Sequence, residues 1–296
     1  MAGFKNLREY ADAEDLGQYH VTSFRKAVSS TATTTSAWID YSYFPGAPTA
    51  NFYASAPLEA AEVEVARGIT VPNVSPATQV LRNIKLMSAA SGTTSVTNGR
   101  QQVILADLLL YYPFIDTDAV GEEQTLTNSV TIPRYDYGKV IAVGQSAAST
   151  SGQFTFSYTN QDGVAGRTSL NHFTFAVAGG GQIVASSVSS ATSYLPYLNL
   201  QAGDYGVKSI ESVTFTAGGG GLMALVIVAP IFRGHITQEA RRSTTDSFGA
   251  CDDFASVINH APPIIKDGAV LDIFAAGHAG SLASSILAGV LETTWN

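Results

Sequence analysis

Charge is what this sequence has least of. Of its 296 residues, 14% are Asp, Glu, Lys or Arg, against roughly a quarter in ordinary soluble domains. A lone catalyst usually keeps a more charged coat, so a chain this poor in charge is expected to cover much of its surface with other subunits. Cysteine is nearly absent: Cys251 stands alone, and no internal disulfide can form. The 16 basic residues are scattered, and their densest cluster, Arg233, Arg241 and Arg242, is too thin for a nucleic-acid groove. A net charge of -8 and a pI near 5.0 argue the same way. The opening residues Met1 to Tyr10 lack the apolar run of a secretory signal. Ala275 to Val290 is interrupted by His278 and several serines, too broken for a bilayer span. The expectation is a chain folded in a reducing cytoplasm, with neither nucleic acid nor membrane as its main partner.

Motifs for bound groups are also missing. His20, His172, His235, His260 and His278 never reach the short spacings of zinc sites. Neither Gly179–Gln182 nor Gly218–Gly221 leads into Gly-Lys-Ser/Thr, so flexible β turns explain them better than a phosphate cradle. No Gly-x-Ser-x-Gly elbow occurs. Asp116, Asp118 and Gly121 echo a calcium loop, but Val120 stands at its fifth position and Thr127 at its twelfth, which reads as a solvated acidic loop. Cys251 with His260 has nothing around it that marks a nucleophile, and a buried thiol is the ordinary reading. No cofactor, metal or catalytic residue is expected.

What the sequence does have is 45% apolar residues and 27 glycines, enough for a sizeable core and many turns. Residues 4 to about 17 carry Phe4, Leu7, Tyr10, Ala11 and Leu16 on one helical face, with Gly17 as a C-cap. A polar arm, Ser29 to Ser36, follows. Then comes an aromatic and proline-rich stretch holding Trp38, Tyr41, Tyr43, Phe44, Phe52 and Tyr53, expected to be irregular and packed by its own rings. Residues 77–87 are spaced for a helix or a broad strand, and 103–112 form an apolar run whose period separates neither.

From residue 130 onward the pattern is β. Strands are expected at Lys139–Gln145, Gln153–Tyr158, His172–Ala178, Val207–Thr216 and Leu222–Ala229. Alternation at Phe154, Phe156 and Tyr158 predicts one buried face; the unbroken apolar run Leu222–Ala229 predicts burial on both. Ala255–Asn259 fits a helical turn, and Leu282–Trp295 a closing strand or helix. The expected fold is mainly β, a β-sandwich or jelly-roll-like unit with a short N-terminal helix and an irregular N-terminal region. Its expected divisions are residues 1–36 (helix and polar arm), 37–130 (mixed, aromatic and Pro-rich) and 131–296 (β-rich).

Two stretches carry a resemblance. Phe156 to Thr168 is similar to segments of structural proteins of tailed-bacteriophage virions. So is Leu200 to Thr216, with the glycine run and apolar strand that follow; Phe52 to Glu59 is a weaker echo. None of the three is a catalytic motif. The resemblance implies a virion component of head, neck or tail, assembled in the host cytoplasm and repeated around a symmetry axis. A long charged spine helix is lacking, which points away from the main shell protein and toward a decoration or cement protein. Its partners would be identical copies and other virion proteins, the major capsid protein among them. Trp38, Phe52, Tyr53 and Trp295 are the candidate interface anchors, because large rings dominate such contacts. Two alternatives stay open: a tail component that touches host glycan through the aromatic segment, and a polysaccharide hydrolase using carboxylates such as Asp136, Asp204 or Glu211.

Overall fold

Gln153–Asn160 alternates buried and half-exposed residues along its whole length, as a strand with one covered face must. Leu222–Ile236 behaves differently: Met223 to Ala229 are all buried. That contrast defines the architecture. In the computed structural model, which describes residues 3–29, 37–90, 101–177, 179–186, 196–236, 250–255, 262–277 and 282–296, the second strand lies in a sheet covered on both sides.

In chain order a short helix α1 (Leu7–Asp12) precedes β1 (Tyr19–Ala27), β2 (Trp38–Asp40), β3 (Gly46–Ala47), β4 (Ala61–Glu62), β5 (Gln79–Ala90) and β6 (Gln101–Asp116). Next come β7 (Glu123–Thr125), β8 (Lys139–Gly144), β9 (Gln153–Asn160), β10 (Arg167–Thr168), β11 (His172–Thr174) and β12 (Ala185–Ser186). The chain closes with β13 (Val207–Ala217), β14 (Leu222–Ile236), β15 (Ala250–Ala255), β16 (Leu271–Gly277) and β17 (Ser285–Trp295). They form three sheets. The first runs β15-β5-β17-β1-β3; the second runs β12-β11-β9-β13-β7 with β10 beside β9; the central one runs β2-β16-β6-β14-β8 with β4 beside β6. Every ladder among the described residues is antiparallel. The fold is therefore mainly β, as the sequence predicts.

The long pair β6 and β14 carries the central sheet past two partners. At one end Leu109, Tyr112, Leu225 and Ile227 pack on Phe154, Phe156, Val213 and Phe215 of the second sheet. At the other end Val103, Leu105 and Ile273 pack on Phe24, Leu81, Ile84 and Leu291 of the first. Successive strand residues point to opposite faces, so Ile104, Ala106 and Leu108 face the other way. There the segment holding Trp38, Tyr53 and Val63 covers them. The β6–β14 register shifts between Ile227 and Val228 and again between Pro230 and Phe232. Such bulges bend a long ladder, and here they fall where it passes from one sandwich to the next. Asp107, fully buried, sits at that junction and accepts two bonds from Arg134, at 2.9 and 2.8 Å, and one from Val270 N, at 2.9 Å.

Several local expectations are revised. The helix spans only Leu7–Asp12. Asn6 caps it by accepting from Glu9 N at 2.9 Å, but no base stands in its last turn. Asp12, Glu14 and Asp15 crowd its C-terminal side, where the macrodipole disfavours acids. Gly17, at φ 73°, closes a following turn instead. Of residues 77–87, those from Gln79 on are strand, as are 103–112 and the chain's end, and β11 stops at Thr174. Ala255 ends β15, whereas the rest of the expected helical turn and His260 lie outside the described residues. β1 pairs with β17, and the central sheet draws strands from residue 38 to residue 277.

Candidate functional site: an aromatic platform over buried charges

The aromatic stretch begins on the edge of the central sheet, where β2 pairs with β16 and sets Asp40 opposite Phe274. Asp40 ends the strand and caps a 3-10 turn, Tyr41–Tyr43, by accepting from Ser42 N at 2.8 Å. Its other oxygen accepts from the Tyr53 hydroxyl. Tyr53 reaches that oxygen from a left-handed backbone, φ 51°, and its N–H donates to Asn51 Oδ1 at 3.3 Å. Lys26 arrives from β1 and donates to the carbonyls of Phe44 (3.2 Å), Ser42 (3.3 Å) and Thr49 (3.4 Å). One ammonium thus ties down three points of a segment that has little regular structure.

Asp272, on β16, completes the cluster. Lys26 and Asp272 are each 3% exposed, and Asp40 and Tyr53 are fully buried. Burial, then the neighbouring charge of Asp40, pushes the Asp272 carboxyl well above the usual carboxylate range. Oδ2 of Asp272 has no hydrogen-bond partner among the described residues. Burial lowers the Lys26 ammonium, opposed by the charges of Asp272 and Asp40. The same burial holds the Tyr53 phenol well above its ordinary value. Closed off from solvent, these groups fix the backbone above them.

That backbone presents a ring. Phe52 is 53% exposed and stands edge-on to Tyr43, centroids 5.1 Å apart at 81°. Gln145, just past β8, donates to the carbonyls of Phe52 and Tyr53, both at 3.2 Å, and accepts from Phe114 N at 2.6 Å. Tyr43 in turn donates to Gln145 O at 3.0 Å. The glycine run read as flexible turns has a packing reason: a Cβ on Gly180 would lie 2.3 Å from the Tyr43 hydroxyl, and one on Gly181 would lie 2.7 Å from the Phe44 ring.

The four anchor candidates separate here. Trp38 is 3% exposed and Tyr53 fully buried, so their rings are spent inside the subunit; Trp295 is half-buried at the end of β17. Phe52 alone of the four keeps half of its surface free. A second outward surface is the far side of the first sheet, where Val21 and Met87 are exposed and Ile286, Ala288 and Val290 half-exposed between Arg25, Lys85 and Glu292.

The remaining candidates are placed as follows. Asp118 N donates to Asp116, and Asp118 itself accepts from Gly220 N at 2.9 Å; no group of three metal-ligating side chains occurs among the described residues. Asp204 accepts from Tyr158, Asn160 and Arg167 at 2.6 to 2.9 Å, and chiefly the arginine holds it down to about 2. Glu211 accepts from Thr159 and Ser209 hydroxyls at 2.7 Å, while Asp136 borders an open cleft elsewhere. Beyond its backbone in β15, Cys251 lies outside the described residues. Sequence reasoning passed over Lys26, Asp40 and Asp272. Asp40 and Asp272 carried a signal, each being the one charge in an apolar strand that is buried throughout; Lys26 did not, since it follows Arg25 on a strand with few buried residues.

No family model and no curated protein matches the chain. Among solved structures it shows a faint likeness to that of infectious bursal disease virus, Gt strain, at 12% identity and a TM-score of 0.21, over 94% of this chain and 80% of the other. A mutant VP2 protein of the same virus, in derived T=1 particles, aligns at 13% identity and a TM-score of 0.18, over 94% and 78%. Both are from that virus and not from a tailed phage. Likeness at this level carries no argument about function.

Proposed function

We propose that the chain is a structural subunit of a virion, held in the particle by contacts with copies of itself and with other coat proteins. The observation that carries this reading is the Phe52 platform. An exposed ring stands on backbone tied down by the buried bonds of Tyr53 to Asp40 and of Lys26 to Phe44 and by an exposed bond from Gln145 to the Phe52 carbonyl, and a pre-positioned aromatic loses little entropy when a partner covers it. The low charge content and the apolar outward side of the first sheet add surface of the same kind. The finer assignment, decoration or cement on a tailed-phage head beside the major capsid protein, rests on the resemblance of Phe156–Thr168 and Leu200–Thr216. In this account no residue acts catalytically.

The test is incorporation. Particles assembled with Phe52→Glu in place of the wild-type chain should carry at least tenfold fewer copies, while the isolated variant keeps its wild-type circular dichroism. Equal incorporation of the variant would remove Phe52 from the contact and overturn the reading.

A further inference from the structure

A different part of the surface is shaped to receive a small molecule. β8 begins at Lys139, opposite Val228, but β14 runs on to Ile236. Beyond Val228 that edge has no strand partner among the described residues, and Pro230 has no N–H to offer one. The chain leading into β8 is drawn aside. Arg134, at φ 64°, grips Asp107 and donates to Leu108 O at 3.0 Å. The gap is an open cleft of about 300 Å³ lined by Tyr135, Asp136, Tyr137, Lys139, Ala229 and Pro230.

Its lip is aromatic and pre-set. Tyr137 is 39% and Tyr205 52% exposed, and their rings meet edge-to-face at 5.3 Å and 83°. Tyr137 packs closely against Gly206, where a Cβ would come within 2.2 Å of the ring. Lys139 Nζ donates to Tyr205 O at 2.5 Å, and Tyr205 N donates to Gln161 at 3.1 Å, so both rings stand on fixed backbone.

We propose that this cleft binds a neutral saccharide of one or two pyranose rings, stacked on Tyr137 beside Tyr205 with its hydroxyls on Asp136 and Lys139. The face of a tyrosine ring is electron-rich and attracts the C–H groups on one side of a sugar. A carboxylate and an ammonium at one rim supply an acceptor and donors of the kind that the hydroxyls of a polyol use. A proline-rich peptide, the other usual guest of tyrosine-lined grooves, has few N–H groups to donate to the Asp136 carboxylate. The volume matches the small end of known ligand sites. This inference does not depend on the virion reading.

The experiment is an array of neutral oligosaccharides probed with the labelled full chain, followed by ligand-observed NMR titration of the strongest hit. Tyr137→Ala and Tyr205→Ala should each weaken binding tenfold or more. Tyr137→Phe, which keeps the ring, should bind within about threefold of wild type, and Leu7→Ala, exposed on α1, should be unchanged. The Phe variant keeps the test decisive if an Ala variant fails to fold. No neutral saccharide bound by the wild type, or undiminished binding by folded Tyr137→Ala, would overturn the proposal.

Discussion

Compare the interior beneath β9 and β13 with the interior around β2 and β16. The first is built from rings: Phe154, Phe156, Tyr158 and Phe215 are all essentially fully buried, with His172 stacked on Phe156 at 5.7 Å and 19°. The second encloses Lys26, Asp40 and Asp272 at similar depth. Both are closed to solvent, yet they answer pH in opposite senses. Burial lowers His172 to about 4, so it is neutral in the fold and acid must force a charge into an apolar space. Asp272 is also held neutral, but there it is base that forces the charge. The ring-built interior seals one sandwich. The charged one ties an irregular segment into a fixed shape, at some cost in stability.

The largest expected effect breaks the charged side of this contrast. Lys26→Met leaves three carbonyls and a buried carboxylate without their cation and should cost about 3–5 kcal/mol in urea unfolding. Adding Asp40→Asn should recover part of that loss. A double variant as unstable as the sum of its parts would deny the coupling.

His172→Phe probes the other side. Unfolded histidine titrates near 6.5 and the folded one near 4. The unfolded chain therefore binds the extra proton between those values, and stability falls as pH drops through that window. The wild type should lose on the order of 3 kcal/mol from this group between pH 7 and pH 4, and His172→Phe should lose correspondingly less.

A smaller effect is expected from Asp272→Asn. The folded Asp272 keeps its proton above the unfolded value of 3.8, so in the wild type this group takes stability away as pH rises past that point. The amide removes the penalty. Urea unfolding at pH 7 should show the variant more stable than the wild type, by less than the Lys26→Met loss, and its stability should fall less steeply above pH 4. Smallest of all, Phe52→Ala should change subunit stability by under about 1 kcal/mol, because half of the ring is already in solvent. Its effect should be seen in association instead.

The ring-built side was the more legible in the sequence. Phe154, Phe156 and Tyr158 alternate with Thr155 and Ser157, and a period of two needs no distant information to be read. The unbroken run Leu222–Ala229 likewise announces a strand covered on both faces. The charged side was harder, because its members lie on β1, β2 and β16, and nothing local pairs residue 26 with residue 272. The same limit hid the closure of β1 on β17, which matches Tyr19 to Thr294. Within the aromatic stretch, composition could not separate Phe52 from Tyr53. One faces solvent and the other the core because Tyr53 takes a left-handed backbone and is caught by Asp40. The cleft at Tyr137 left no motif at all, since it is made by where β8 starts and where Pro230 stops a neighbour.

The most direct measurement is the copy number of this chain in purified virions from the culture that produces it, by quantitative mass spectrometry. The account predicts a stoichiometric component: hundreds of copies per particle if it decorates the head shell, a few to tens if it belongs to neck or tail. Absence from the particles would contradict it.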